Sequence, residues 1–362
     1  MTIFLLFVFI LCIYKIKPAK PVLTGYNEHY FDISRTESIK GLFILLVFLS
    51  HARNYLMELP SYSSDILNRP YNIFQEHIGQ GIVVMFLLYS GYGVMEAIKR
   101  KGSIYVNSIP VKRVMITWLN FALAVVLFAI EGLALGTYKK WTALKIILSL
   151  IGWDSLGNSN WYIFVILIMY IITFVSFKLF RKNYSHAAAC TAVLTFVYIV
   201  AVSRLKAGEA WWFDTALCYP FGMFISLQRE RLEGFIFKKP VNYYAALILC
   251  AAVFAVCHLK RGNIFCYEAQ LILFGVVIIL VLMKLDVNNK VLRFFGKHLF
   301  EMYILMRIPM SILLHFNITN TYLFVCISFV ITVLAAVIFK KLLAVIDSAV
   351  LKLFGNKKTV NV

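Results

Sequence analysis

Several features of soluble enzymes are missing from this sequence of 362 residues. It has no phosphate-binding glycine-rich loop, no HExxH metal motif, no nucleophile elbow and no internal repeat. The seven cysteines lie within or beside apolar runs and include no CxxC pair, so the sequence predicts neither a disulfide framework nor a metal site. Charged residues make up only 15% of the chain, and no polar stretch is long enough to form a soluble domain. Any chemistry must therefore take place in or at a membrane.

Apolar residues are abundant instead. They account for 61% of the chain and give a mean hydropathy of +0.81, which is more apolar surface than a soluble domain of this size can bury. Backbone groups in hydrocarbon must bond within their own segment, so runs of about 20 apolar residues are typical of spanning helices. The sequence therefore predicts an all-α, polytopic membrane helix bundle. Eleven spans are expected, at Ile3 to Ile16, Ile39 to Met57, Ile78 to Ile98, Val114 to Leu135, Trp161 to Phe177, Ala187 to Val202, Trp211 to Leu227, Val241 to Leu259, Ile264 to Met283, Leu299 to Phe316 and Tyr322 to Phe339.

The basic residues indicate the orientation of the bundle. Connecting segments alternate in charge, and those on one side hold most of the 36 Lys and Arg. Such residues favour the cytoplasmic side, which places the N-terminus outside and the C-terminus in the cytoplasm of a cell-membrane protein. The first span has its basic residues behind its apolar stretch, the reverse of a secretory signal peptide, so we expect an uncleaved anchor.

The net charge of +19 is expected to lie mostly on the cytoplasmic face and to attract anionic lipid. Recruitment of a polyanionic cofactor is left open. Nucleic-acid binding is not expected, because the charges are spread over six separate loops rather than one patch.

The second predicted span contains two ionisable residues, Lys40 at one end and His51 deep along it. Ionisable groups within a span cost roughly 2.5–3.5 kcal/mol on insertion scales, so each is a candidate functional residue. Eleven positions on an α-helix correspond to about 16 Å along the axis and about 20° of rotation, so both side chains are predicted to face one internal passage. Histidine takes and returns a proton near neutral pH, which makes His51 a candidate general base. The alternative is a histidine satisfied by a neighbouring helix, with Lys40 extending to the interface.

Other polar and aromatic residues form smaller clusters. Tyr55 follows His51 by four residues and shares its helical face. Trp161 and Tyr162 open the fifth span; such aromatics are favoured at membrane interfaces, but they also bind sugars.

Two further clusters lie near the predicted cytoplasmic side. Ser90 and Tyr92 flank a glycine near the end of the third span, where small residues also allow close helix packing. Lys112 and Arg113 lead into the fourth span, either as interface anchors or as ligand-binding cations. Two more intramembrane charges, Glu131 and Arg307, are without an assigned role.

Together these segments resemble the acyltransferase 3 family of membrane-bound acyltransferases. Lys40 and His51 match the basic residue, ten intervening positions and histidine of the family's first core helix. The run Val84 to Tyr92 is similar to its apolar stretch ending in Ser-Gly-Tyr. Asn160 to Tyr170 is similar to its Trp-Tyr span, and Tyr219 to Met223 to a later glycine-containing one.

The resemblance covers residues 35 to 345, and there are departures from the family pattern. Where the family usually carries Arg-x-x-Arg, Pro110 occupies the first position and Arg113 the second, with Lys112 adjacent. Glu301 to Arg307 replaces a stretch that often ends in His. Because the family has ten core helices, the resemblance implies ten core spans plus one N-terminal span. The corresponding domains are an anchor and linker at 1–34, an acyltransferase domain at 35–346 and a basic cytoplasmic tail at 347–362.

The resemblance implies an O-acetyltransferase that transfers an acyl group, commonly acetyl from acetyl-CoA or another acyl-CoA, to a hydroxyl of a glycan, a lipid-linked saccharide or a similar acceptor. It implies polysaccharide modification as the outcome, with His51 as the catalytic residue. The donor phosphates would be held by Lys40, Arg113, Lys112 and Arg35, and the substrate by Ser90, Tyr92, Trp161, Tyr162 and Tyr55. The alternatives are a transporter or flippase for a lipid-linked or small polar substrate, and a membrane sensor. The sequence leaves the oligomeric state open.

Overall fold

The computed structural model describes residues 1–57, 59–181 and 183–354, and it is 79% helical. Two short strands, β1 (Lys17–Pro18) and β2 (Leu285–Asp286), pair in an antiparallel manner. The α-helices are α1 (Thr2–Ile13), α2 (Ile33–Leu56), α3 (Pro60–Ser63), α4 (Arg69–Ile78), α5 (Gly81–Lys101), α6 (Ser103–Ile109), α7 (Ile116–Ala134), α8 (Ala143–Leu150), α9 (Trp161–Leu179), α10 (Tyr184–Leu205), α11 (Cys218–Ile236), α12 (Pro240–Leu259), α13 (Ile264–Leu282), α14 (Lys290–Lys297), α15 (Leu299–Leu305), α16 (Arg307–His315) and α17 (Thr321–Phe354).

Within the described residues, seven helical segments are long and apolar enough to cross a membrane. They are α5, the continuous segment Ser103–Ala134 that contains α6 and α7, α9, α10, α12, α13 and α17. The predicted class, an all-α polytopic membrane protein, is therefore confirmed. The predicted number of eleven spans is not confirmed.

The other four predicted spans each contain a helix that differs from a regular span. The α1 helix has only 12 residues, while α2 and α11 are long enough but more polar. The tenth predicted span is divided into α15 and α16 at Met306. Pro309 lies one turn beyond Leu305, and because proline has no N–H and its ring crowds the carbonyl four residues earlier, the helix is interrupted there.

The helices run between two faces of the bundle. One face brings together the ends of α5 and α11, the start of α2, and the paired strands β1 and β2. The other brings the N-terminal amine to Asn68, and Gln75 to Ser50 near the end of α2. The face with the ends of α5 and α11 carries most of the basic connecting segments and is called the basic face. The face with the N-terminal amine is called the opposite face.

Glycines allow the helices around α2 and α5 to approach closely. A Cβ at Gly91 would collide with the carbonyl oxygen of Tyr219 on α11, and a Cβ at Gly41 with that of Leu292 on α14. These contacts leave no room for a side chain, so they fix the depth and rotation of α2 and α5 in the bundle. The side chains on the remaining faces of both helices are thereby positioned with little freedom.

A π-helical segment, Pro110–Met115, joins α6 to α7. Proline cannot donate to the preceding turn, which accounts for a wider turn at this point. The segment contains Lys112 and Arg113. At the other end of the chain, α17 continues past residue 346, the predicted domain boundary, to Phe354. The last part of the predicted basic tail, 355–362, lies outside the described residues.

Candidate active site

Cavities open into the bundle from both faces, and α2 contributes a side chain to each. On the basic face, two cavities of about 370 and 760 Å³ share Lys40, Tyr89 and Gly93 in their linings. Together they are called the basic-face cavity. On the opposite face, a cavity of about 420 Å³ contains His51 and is called the His51 cavity. Lys40 and His51 therefore both face the interior of the bundle rather than lipid.

Lys40 has no hydrogen bond or ion pair with any other residue in the described ranges, and its ammonium lies 5.8 Å from the centre of the Tyr89 ring. Arg113 lines the same cavity, and its Nε donates to the Tyr105 hydroxyl at 3.0 Å. Its guanidinium lies 5.9 and 6.0 Å from the ring centres of Tyr105 and Tyr170. Aromatic faces orient both cations without neutralising them. The cavity thus presents positive charge that an anionic ligand can bind.

Further cations line the basic-face cavity that the sequence did not single out. Lys340 forms an ion pair with Glu301 at 3.5 Å, and Lys297 lies 4.0 Å from Glu37. Arg100 is also part of the lining. These residues are far apart in the sequence. All that the sequence indicated about them was that each lies in a basic segment on the predicted cytoplasmic side. Only the packing of α5, α14 and α17 brings them to one opening.

Ser90 and Tyr92 also line the basic-face cavity. The Ser90 hydroxyl lies 3.1 Å from that of Tyr170. The Tyr92 ring stacks on Phe31 at 3.9 Å between centres, and its hydroxyl accepts a hydrogen bond from Arg229. Gly91 packs against α11, so the Ser-Gly-Tyr motif combines helix packing at its centre with cavity lining on either side.

Arg35 and Lys112 are not part of the cavity lining. Arg35 donates to both carboxylate oxygens of Asp286, at 3.0 and 3.1 Å, and so ties the start of α2 to β2. Two nitrogen atoms of its guanidinium group are occupied by this bidentate ion pair. Lys112 lies beside Arg113 in the π-helical segment, but only Arg113 faces the cavity.

The His51 cavity has a different composition. The Nε2 atom of His51 lies 3.5 Å from the Ser159 hydroxyl, at the long end of the hydrogen-bonding range. Indole rings and side-chain amides supply much of the remaining surface, from Trp161, Trp211, Asn54, Gln75, Gln80 and Asn160. No Asp or Glu occurs among the described residues that line it. Aromatic faces and neutral amides are suited to saccharides, which present both apolar ring faces and hydroxyls.

Arg307, which the sequence left unassigned, lines the His51 cavity. It lies at the break between α15 and α16, where its Nε donates to the Tyr55 hydroxyl at 3.3 Å. A longer contact of 3.4 Å joins another guanidinium nitrogen to the carbonyl oxygen of Asn158. The sequence feature that could have identified Arg307 is Pro309, two residues later. A proline at this position predicts a helix break, and Arg307 lies at that break.

An aromatic partition separates the two cavities and consists of Phe86, Tyr162 and Tyr303. The Tyr303 ring centre lies 6.4 Å from that of His51 and 5.5 Å from that of Tyr162, and Phe86 contacts Tyr162 at 6.0 Å. Phe86 and Tyr162 line the basic-face cavity, whereas Tyr303 lines the His51 cavity. The predicted passage is therefore divided in this structure, because bulky rings fill the middle of the bundle between Lys40 and His51.

Glu131 lines a third cavity of about 450 Å³, which shares Tyr55 with the His51 cavity. The Ser311 hydroxyl donates to its carboxylate. Lys140, Lys145, His315 and Trp141 also line this cavity. Glu131 therefore belongs to a cavity that adjoins the His51 cavity at Tyr55, and it does not line the His51 cavity itself. Among the described residues, no group of three or more His, Cys, Asp or Glu is arranged to hold a metal ion.

The helical bundle and its internal polar cavities define a multi-pass integral membrane protein. The chain belongs to the acyltransferase 3 family, whose acyltransferase domain matches residues 33–341, and this confirms the resemblance seen in the sequence. Neither a curated protein nor a solved structure gives a significant match to the chain. Family membership makes the protein a membrane acyltransferase, an enzyme that takes its acyl group from a donor.

Proposed function

We propose that the protein transfers an acetyl group from acetyl-CoA to a hydroxyl of a glycan or lipid-linked saccharide. The observation that supports this most directly is the arrangement on α2, where Lys40 and His51 face cavities that open on opposite faces of the bundle. One cavity has the charge for a polyanionic donor. The other has a proton acceptor among groups suited to a sugar.

The donor binds in the basic-face cavity. Lys40 and Arg113 have no ion pair within the described residues, so their charges are available to the phosphates of coenzyme A. Lysine and arginine are the usual phosphate ligands in proteins. Lys297, Lys340 and Arg100 add charge near the opening. Arg35 is excluded from this role because Asp286 already occupies its guanidinium.

The pantetheine arm carries the thioester from Lys40 toward His51. These residues are about 16 Å apart along the helix axis, a length comparable to that of the extended arm. The aromatic partition lies on this path, so transfer requires the Tyr162 and Tyr303 rings to move aside. Ring rotation of this kind couples arrival of the donor to opening of the route.

The chemistry takes place at His51. Its Nε2 accepts the proton of the acceptor hydroxyl as the hydroxyl oxygen attacks the thioester carbonyl. The carbon–sulfur bond then breaks, and the thiolate takes the proton from the imidazolium to leave as the free thiol. Ser159 lies beside Nε2 and is placed to orient the attacking hydroxyl. Trp161, Trp211 and Tyr55 provide ring faces against which a sugar packs.

The charge distribution supports an orientation for this reaction in the cell membrane. With the basic face in the cytoplasm, acetyl-CoA enters from the compartment where it is made, and the acceptor is modified on the outside. The N-terminal amine, which contacts Asn68 on the opposite face, is then external.

The test is to incubate the purified protein with labelled acetyl-CoA and a panel of candidate glycans, and to measure both free thiol and labelled product. Acceptor-dependent release of thiol together with a labelled glycan is the expected result. Absence of acceptor-dependent thiol release from acetyl-CoA with every glycan of the panel would overturn the proposal. Mass analysis of surface glycans with and without the protein identifies which panel members to include.

A further inference from the structure

Arg307 is a partly buried cation in the interior of a membrane protein, and the described residues provide no ion-pair partner for it. Its hydrogen bonds go to the neutral Tyr55 hydroxyl and, at greater distance, to the Asn158 carbonyl. Most of the N–H groups of its guanidinium are therefore free to bind something else. A charge inside a membrane protein is unfavourable unless an anion compensates it.

The surroundings of Arg307 point to an anion that arrives with the substrate. The described lining of the His51 cavity contains no carboxylate. Glu131 is the acidic residue of the neighbouring cavity. Its carboxylate accepts a hydrogen bond from Ser311 and forms no ion pair with Arg307, although the two groups are close enough for their charges to interact. That neighbouring cavity carries Lys140 and Lys145 as well. In the linings of these two cavities, Arg307, Lys140 and Lys145 outnumber the single carboxylate of Glu131.

We propose that the acceptor is an anionic saccharide, and that Arg307 binds its carboxylate or phosphate while His51 accepts the proton of a nearby hydroxyl. The planar guanidinium fork matches both kinds of oxyanion. Tyr55 and Asn158 hold this fork in place, and Trp161 supplies the ring face for the sugar. The role of the bound saccharide as acceptor rests on the proposed acetyl transfer. The binding of an anionic saccharide at Arg307 does not, because binding needs no donor.

The binding test uses the full-length protein in phosphatidylcholine nanodiscs at constant ionic strength. Matched methyl glycosides that differ only at C6 are the probes: methyl glucuronide against methyl glucoside, methyl galacturonide against methyl galactoside, and methyl glucoside 6-phosphate against methyl glucoside. Thermal unfolding gives an apparent Kd for each. We expect at least one charged probe to bind about tenfold more tightly than its neutral partner, equivalent to about 1.4 kcal/mol. The uronates test binding of a carboxylate, and the sugar phosphate tests binding of a phosphate.

Three variants connect this preference to Arg307. Arg307→Gln is expected to remove the difference between charged and neutral probes, and Arg307→Lys to retain part of it. Arg204→Gln is the matched control, because Arg204 is an exposed arginine at the end of α10 on the same face and lies outside the cavities. Equal binding of charged and neutral probes in the wild type, or a preference that survives in Arg307→Gln, would overturn the proposal.

Acetyl transfer distinguishes this inference from the proposed function. With a charged acceptor, Arg307→Gln should raise the KM for that acceptor and leave the KM for acetyl-CoA unchanged. If it instead lowers kcat equally for charged and neutral acceptors, the guanidinium acts on the reacting carbonyl and the anionic-acceptor proposal is wrong. Charge-selective binding without any release of thiol would leave the anion site intact and remove the acetyltransferase function.

Discussion

The basic-face cavity and the His51 cavity both contain residues of α2, yet their linings differ in chemistry. The basic-face cavity mixes cations with acidic residues such as Glu301 and Glu96, and two of its lysines, Lys297 and Lys340, are already paired. The His51 cavity has a single arginine among amides and aromatic rings. Two adjoining cavities with several cations suit a flexible polyanion, whereas a single cavity with one cation among rings and amides suits a saccharide. An aromatic partition keeps the two apart.

The largest effect is expected from removing the imidazole in the His51 cavity. His51→Ala should lower acetyl transfer by about 10²–10⁴-fold, the usual contribution of a positioned general base. Labelled product formed by purified protein is the measurement, with expression and thermal unfolding as checks on folding. His186→Ala is the matched control, because His186 is exposed at the start of α10. Activity retained in His51→Ala would remove this residue from the mechanism.

A change in the other cavity should act on the donor alone. Lys40→Ala is expected to raise the apparent KM for acetyl-CoA by roughly 10–100-fold, the effect of losing a hydrogen bond between charged groups. The KM for the acceptor should stay the same, and Lys40→Arg should recover part of the loss. Lys239→Ala removes an exposed lysine from the same face and serves as the control. An unchanged donor KM in Lys40→Ala would contradict the assignment of the basic-face cavity.

The partition between the cavities can be opened by removing one ring. Tyr303→Ala should increase acceptor-independent hydrolysis of acetyl-CoA several-fold, because water then reaches the thioester without a sugar in place. Tyr303→Phe keeps the ring, and the Tyr303 hydroxyl makes no side-chain hydrogen bond among the described residues, so this variant should behave like the wild type. Free-thiol release without acceptor is the measurement. Equal hydrolysis in the wild type and Tyr303→Ala would show that the rings do not separate the two sites.

The smallest effect should come from a cation that lies near the basic-face cavity without lining it. Arg35→Gln breaks the pair with Asp286 and should lower the free energy of unfolding by less than about 1 kcal/mol, since the pair is partly exposed. The KM for acetyl-CoA should not change. Thermal unfolding and donor titration measure the two quantities. A rise in KM comparable to that of Lys40→Ala would place Arg35 among the donor ligands after all.

Much of the fold could be predicted from local sequence, because long apolar runs have few alternatives in a membrane. The helices at α5, α9, α10, α12, α13 and α17 follow directly from such runs. Helices were also predicted at α2, α11 and the pair α15 and α16, and the structure has helices there. As membrane spans they stay predictions, because α2 and α11 are more polar and a break separates α15 from α16.

The candidate site likewise has a part that could be predicted from the sequence and a part that could not. Helical geometry relates Lys40 to His51 without any knowledge of neighbouring helices, since both lie on one rigid element. The sequence by itself thus determined the membrane class, the family and the shared face of these two residues. Only the tertiary structure decided that Arg35 is paired with Asp286, that Arg307 joins His51, and that Tyr162 and Tyr303 divide the passage. Each of these depends on contacts between segments far apart in the chain, and such contacts are set by how whole helices pack rather than by the residues near any one position.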